Sequence, residues 1–175
     1  MRSLGGLLLC SLLVTASVSC RAQNPVVPEY SLKAAYLYHF IQFTDWPDAA
    51  LSDLKTFDIC IAADSPLRPV LAELNGQIAH GKPIAVRTYE PGHYAGCQVV
   101  LFSARDLEML EKAKEALVAA NILTVSEDQG IPTPQVIISL SVEGRRVVFS
   151  INKKLAQLSG LQISSKLLRL ARAVQ

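Results

Sequence analysis

Between Glu29 and Phe43 apolar side chains recur at helical spacing, with Leu32, Tyr36, His39, Phe40 and Phe43 on one face and Leu37 and Ile41 widening it sideways. The spacing predicts a helix buried on more than one side. Pro47 cannot continue such a helix and holds Trp46 extended, so the chain turns at Thr44-Asp45-Trp46-Pro47. Further along, the apolar positions form short runs without helical period. Phe57–Ala63, Lys82–Tyr89, Cys97–Phe102 and Asn121–Val125 each predict a strand.

The residues between these runs predict how the strands connect. Asp64-Ser65-Pro66 offers a cap and a proline at the first helical position, for a helix that stops at Asn75-Gly76. Ser103 and Asp106 stand in a capping-box-like arrangement before Leu107, Leu110, Lys114 and Leu117. Val136–Leu140 and Val147–Ile151 flank Glu143-Gly144 and predict an antiparallel hairpin. Asn152 can cap a short helix ending at Gly160, and Ser164 or Ser165 a last one reaching about Ala173. Alternation of strand and helix argues for a mostly parallel sheet with helices on both faces. The expected fold is therefore an α/β three-layer sandwich closed by a C-terminal antiparallel hairpin.

Length and the first residues set the domain plan. Residues 1–22 read as a signal peptide: Arg2, a short apolar run from Leu7 to Val14, then small residues before a cleavage site after Ala22. The run is too short to span a bilayer comfortably. Acylation of Cys20 is the rival reading, but Ser17 stands where a lipoprotein usually carries a large aliphatic residue. Residues 23–175 then form a single domain in an exported, soluble protein. Removing Arg2 and Arg21 lowers the basic residues from 17 to 15 against 15 acidic ones, which leaves no net charge. That balance argues against nucleic acid as a partner. The distribution is uneven, however. After Glu143 the chain has no acidic residue, whereas Arg145, Arg146, Lys153, Lys154, Lys166, Arg169 and Arg172 are basic. This is read as a solvated face, with docking of an acidic partner or of anionic headgroups as the alternative.

Candidate chemistry is sparse. Cys60 and Cys97 are the cysteines left after the export segment, and in an oxidising compartment they are read as a disulfide; two small buried side chains at strand positions are the alternative. No glycine-rich phosphate loop and no nucleophile elbow occur. His39, His80 and His93 have no ligand-like spacing with each other or with the cysteines, so neither a metal nor another cofactor is expected. Asp45, Asp58 and Asp64 have local explanations that compete with an acid–base pair. By elimination the chain reads as a binding or regulatory module and not as an enzyme.

Several segments taken in order resemble the YfiR-like family. They are Lys33–Pro47, with its Lys-Ala-Ala-Tyr-Leu-Tyr opening and Trp-Pro close; Cys60-Ile61-Ala62; Gly96–Phe102; Ile122–Ser126; and Val147–Val174, which carries Phe149-Ser150-Ile151-Asn152 and Gly160-Leu161-Gln162-Ile163-Ser164-Ser165. The resemblance covers essentially the whole of 23–175. It implies a periplasmic sensor-repressor that binds the periplasmic domain of a membrane-bound diguanylate cyclase, lowers cyclic di-GMP output and with it biofilm formation, and can form a homodimer. It also implies that Cys60 and Cys97 are one family cysteine pair. A second pair, present in the family's type member, has no counterpart after Cys97. Thr133-Pro134-Gln135-Val136-Ile137 replaces the family's usual entry to the hairpin. Within the opening motif, Tyr36, Phe40, Phe43 and Trp46 are expected to be core side chains ahead of Pro47. A periplasmic module holding a small solute at the carboxyl ends of the parallel strands is the alternative function.

Overall fold

The computed structural model describes residues 29–127, 133–144 and 146–175. The segment 1–22, with Cys20, and the lead-in 23–28 lie outside the described residues, as does Arg145. The helices are α1 (Glu29–Gln42), α2 (Asp48–Leu51), α3 (Arg68–Leu71), α4 (Leu107–Ala119), α5 (Lys153–Leu158) and α6 (Ser165–Leu170). The strands are β1 (Thr44–Asp45), β2 (Phe57–Ile61), β3 (Ile78–Ala79), β4 (Lys82–Thr88), β5 (Val99–Phe102), β6 (Leu123–Ser126), β7 (Ile138–Glu143), β8 (Arg146–Ile151), β9 (Gln162–Ile163) and β10 (Ala173–Val174).

Eight strands make one sheet in the order β10-β8-β7-β6-β5-β2-β4-β3, and β1 pairs with β9 in a separate two-stranded ladder. Within the large sheet only β7–β8 and β3–β4 run antiparallel among the described pairings. The hairpin pairs Glu143 with Arg146 and turns at Gly144, whose φ of +62° suits a residue without Cβ.

The central strands are buried on both faces, and alternation sorts their side chains into two cores. Phe57, Ile59 and Ile61 of β2 join Val99 and Leu101 of β5 on the side covered by α1, α3, α5 and α6. Cys60, Val100 and Phe102 point the other way, against Leu110 and Leu117 of α4. Helices on both faces of a mostly parallel sheet make the three-layer α/β arrangement. Phe40, Phe57 and Phe102 are fully buried, and each such side chain contributes about 1.5–3 kcal/mol relative to exposure.

Four local readings change. The buried face of α1 is Lys33, Ala34, Leu37, Phe40 and Ile41, turned by about one residue from the expected stripe, while His39 is exposed. The turn arises because α1 lies against β8, where Phe40 and Phe149 approach to 4.9 Å between ring centroids. The helix expected from Asp64-Ser65-Pro66 shrinks to α3 and a 3-10 turn, Ala72–Leu74; Ser65 Oγ instead accepts the amide of Leu67. Cys97 and Gln98 precede β5, with the Gln98 side chain accepting the amide of Asp58. The last helix ends at Leu170, and the chain continues as β10 beside β8.

Candidate functional site

The order β4-β2-β5 places a reversal of chain progression at β2, since β4 is added on one side of it and β5 on the other. In open α/β sheets such a switch point leaves a crevice at the carboxyl ends of the strands. Here that crevice is a cleft of about 240 Å³ between the first turn of α1 and the loops after β2, β5 and β6. Tyr30 and Lys33 come from α1, Leu67 from the loop after β2, Ser103 and Arg105 from the loop after β5, and Glu127 from the end of β6.

The polar side chains of the cleft are held by one another. Lys33 is buried; its Nζ donates to the Glu127 carbonyl at 3.1 Å and pairs with Glu29 at 2.7 Å, one helical turn back. Ser65 Oγ donates to Glu127 Oε2 at 2.6 Å. A buried lysine is costly unless paired and hydrogen-bonded, and Lys33 meets both conditions; the buried Glu127 carboxylate accepts the Ser65 hydroxyl. Ser103 closes a capping box with Asp106, whose Oδ2 accepts the Ser103 amide at 2.7 Å and hydroxyl at 2.9 Å. Arg105 pairs with Asp64 at 2.7 Å on the ridge between this cleft and a neighbouring hollow of about 360 Å³ beside Tyr89. The arrangement can hold a small polar solute.

On the opposite face Cys60 of β2 is bonded to Cys97, with Cα atoms 5.9 Å apart. Both cysteines are buried and share a core with Tyr89, Tyr94 and Phe102. Tyr89 and Tyr94 stand edge to face at 5.2 Å. Burial, and then the Asp106 carboxylate, push the Tyr89 phenol well above its ordinary value, and burial raises Tyr94 as well. A mainly apolar groove of about 490 Å³ runs between α4 and the Gly92–Ala95 segment beside Tyr94.

The third feature is the sheet edge at β10. Amides of Lys153 and Lys154 donate to the Gln175 carbonyl at 2.8 and 3.4 Å, which brings the start of α5 to the end of β10. The Arg172 amide donates to Phe149 at the other end, and its guanidinium pairs with Glu143. Lys153, Lys154, Lys166 and Arg169 are exposed, and none pairs with an acid among the described residues.

The motif residues of the first helix are spread through the core above this site. Phe40 and Trp46 are buried, whereas Tyr36 and Phe43 are half-buried at the flank of the same cluster, and Pro47 is half-buried at the start of α2. His80 packs against the rings of both Trp46 and Phe57, with Nε2 3.0 Å from the Ile41 carbonyl. Asp58 pairs with Arg87, Asp64 with Arg105, and Asp45 is exposed, so the three carboxylates do not converge. Among the described residues no cluster of three or more His, Cys, Asp or Glu can hold a metal, and no helix is long and apolar enough to cross a membrane. Sequence reasoning missed the contact of buried Lys33 with the Glu127 carbonyl; its only local signal was a lysine on the apolar side of a helix.

Comparison with known proteins adds to this geometry. A family model described as YfiR/HmsC-like matches residues 30–172. No curated protein sequence matches the chain significantly. Among solved structures, the chain is similar to a conserved domain protein from Vibrio cholerae, with a TM-score of 0.50 and 13% identity. The match covers 84% of this chain and 60% of that one, and at this identity it speaks for the fold alone.

Proposed function

Because the chain belongs to the YfiR/HmsC-like family, we propose that it is a periplasmic regulator which binds the periplasmic domain of an inner-membrane diguanylate cyclase and holds the enzyme inactive. The family acts in cyclic di-GMP signalling through contact with a partner protein, and the reading assigns no reaction to this chain. The observation that carries it is the family match over residues 30–172, which takes in both the first helix and the C-terminal hairpin. The Cys60–Cys97 disulfide supports an oxidising compartment, and the signal-like segment 1–22 supports export.

Two measurements test it together. Deleting the gene should raise cyclic di-GMP and surface attachment, and affinity-tagged protein should retain a membrane cyclase through that enzyme's periplasmic domain. Unchanged cyclic di-GMP, with no cyclase retained, sinks the proposal.

The cleft favours a second reading, in which a small polar solute binds between Lys33, Ser103 and Glu127. A thermal-shift screen against small polar metabolites separates the readings. A solute at one hundred times its Kd should stabilise the protein by about 2.7 kcal/mol. A Lys33→Met variant should lose that response.

A further inference from the structure

The end of the sheet at β10 combines three properties that the family reading does not use. The strand is the last of its sheet, and Ala173, Val174 and Gln175 are exposed. Leu170 and Val174, 72% and 45% exposed, are two of the large apolar side chains left in solvent. Cations border the strand: Arg169 and Arg172 where the chain enters it, and Lys153 and Lys154 where it ends. Among the described residues Glu143 is the acid that pairs with one of them, Arg172.

An open edge offers backbone groups to any incoming strand. Like charges on two copies of this edge repel, so the cations that discourage pairing with a second copy admit a segment of opposite sign. A membrane surface fits less well. An interfacial helix needs its apolar face free, and α6 spends Leu167 and Leu168 on the protein core. We propose that the β10 edge takes an extended acidic segment of the partner protein as an added strand, with Leu170 and Val174 giving it apolar contacts and Lys153, Lys154 and Arg169 selecting its charge.

The inference rests on the partner-binding reading above, and the test separates the two. Wild-type protein, the double variant Lys154→Glu/Arg169→Glu and the control Lys55→Glu are titrated against the purified periplasmic domain of the retained cyclase. Lys55 is exposed and lies just before β2, five strands away from β10 in the sheet. Wild type and control should bind alike, more weakly at 300 than at 50 mM NaCl. The double variant should bind at least tenfold more weakly, and amide exchange at 173 and 174 should slow in the wild-type complex. Undiminished binding by the double variant, or unchanged exchange at both 173 and 174, overturns the added strand and leaves partner binding standing. Failure of wild type to bind removes both. Vesicles containing 30% phosphatidylglycerol supply the last arm: if they lose the double variant while the cyclase domain keeps it, the edge is a membrane contact and the proposal is wrong.

Discussion

Trp46 donates its indole Nε1–H to the backbone carbonyl of Asn121 at 2.9 Å, tying the turn after α1 to the residue that opens the approach to β6. The link extends further, because the Asn121 side chain donates from Nδ2 to the Ser159 carbonyl at 2.9 Å, at the end of α5. The Trp46 ring also meets Phe57 edge-on at 5.1 Å. One indole and one amide thus join three segments that are distant in sequence. Trp46→Ala should cost about 3–5 kcal/mol in urea unfolding. Trp46→Phe, which keeps most of the ring contact and loses the donor, should cost less. Equal losses for the two variants would show that the hydrogen bond carries the effect and ring packing little of it.

Asn121 has a φ of +55°, in the left-handed region. Glycine there keeps the backbone at ease but loses the bond to Ser159, a net of about 0.5–1.5 kcal/mol. Alanine loses the same bond and adds left-handed strain of about 1–2 kcal/mol. Asn121→Ala should therefore be the less stable of the two. The reverse order in denaturant midpoints would refute a conformational role for this residue.

Gly160 is bound to the same junction. Its φ is +68°, and a Cβ there would sit 2.8 Å from Asn121 Nδ2. Gly160→Ala should destabilise by about 1–3 kcal/mol, and pairing it with Asn121→Gly should recover part of the loss, because the clashing atoms are then gone. A double-mutant cycle with no coupling would contradict the contact.

Much of this fold was legible in the sequence, and the parts that were not have a common cause. The buried strands around Ile59, Val100 and Val125 are local apolar runs, and the hairpin is marked by its own turn at Glu143-Gly144. β1, β9 and β10 are two residues each, and they are strands only because a distant partner supplies the ladder. No window of sequence contains that partner. The cleft was legible only as a place, the carboxyl ends of the parallel strands. Its contents were not, since Lys33 and Glu127 are 94 residues apart and the strand order brings them together.

Cys60 and Cys97 close a loop of 37 residues. Replacing both by serine should lower stability by about 3–4 kcal/mol, most of it through a less constrained unfolded chain. Denaturant titrations of wild-type protein with and without dithiothreitol should reproduce the same difference. A reduced protein as stable as the oxidised one would assign these residues a packing role only.

Tyr89 and Tyr94 predict an alkaline limit. Burial raises both phenols in the folded protein above the unfolded value near 10. Above about pH 10 the unfolded chain releases phenolic protons that the folded chain retains, so stability falls as pH rises; below it both states are protonated and the contribution is complete. The urea midpoint should be level from pH 7 to 9 and decline beyond about 10, less steeply in Tyr89→Phe. An identical decline in that variant would remove Tyr89 as its source.

The ladder between β1 and β9 pairs Thr44 with Ile163, and the Ser164 amide donates to the Phe43 carbonyl at 2.9 Å. With Phe40 against Phe149, these contacts mean that one side of the first helix is seated on residues 149–164, near the far end of the chain. A chain emerging amino end first therefore has no finished first layer until its tail is free. Closing so long a loop delays the native contacts that repay it.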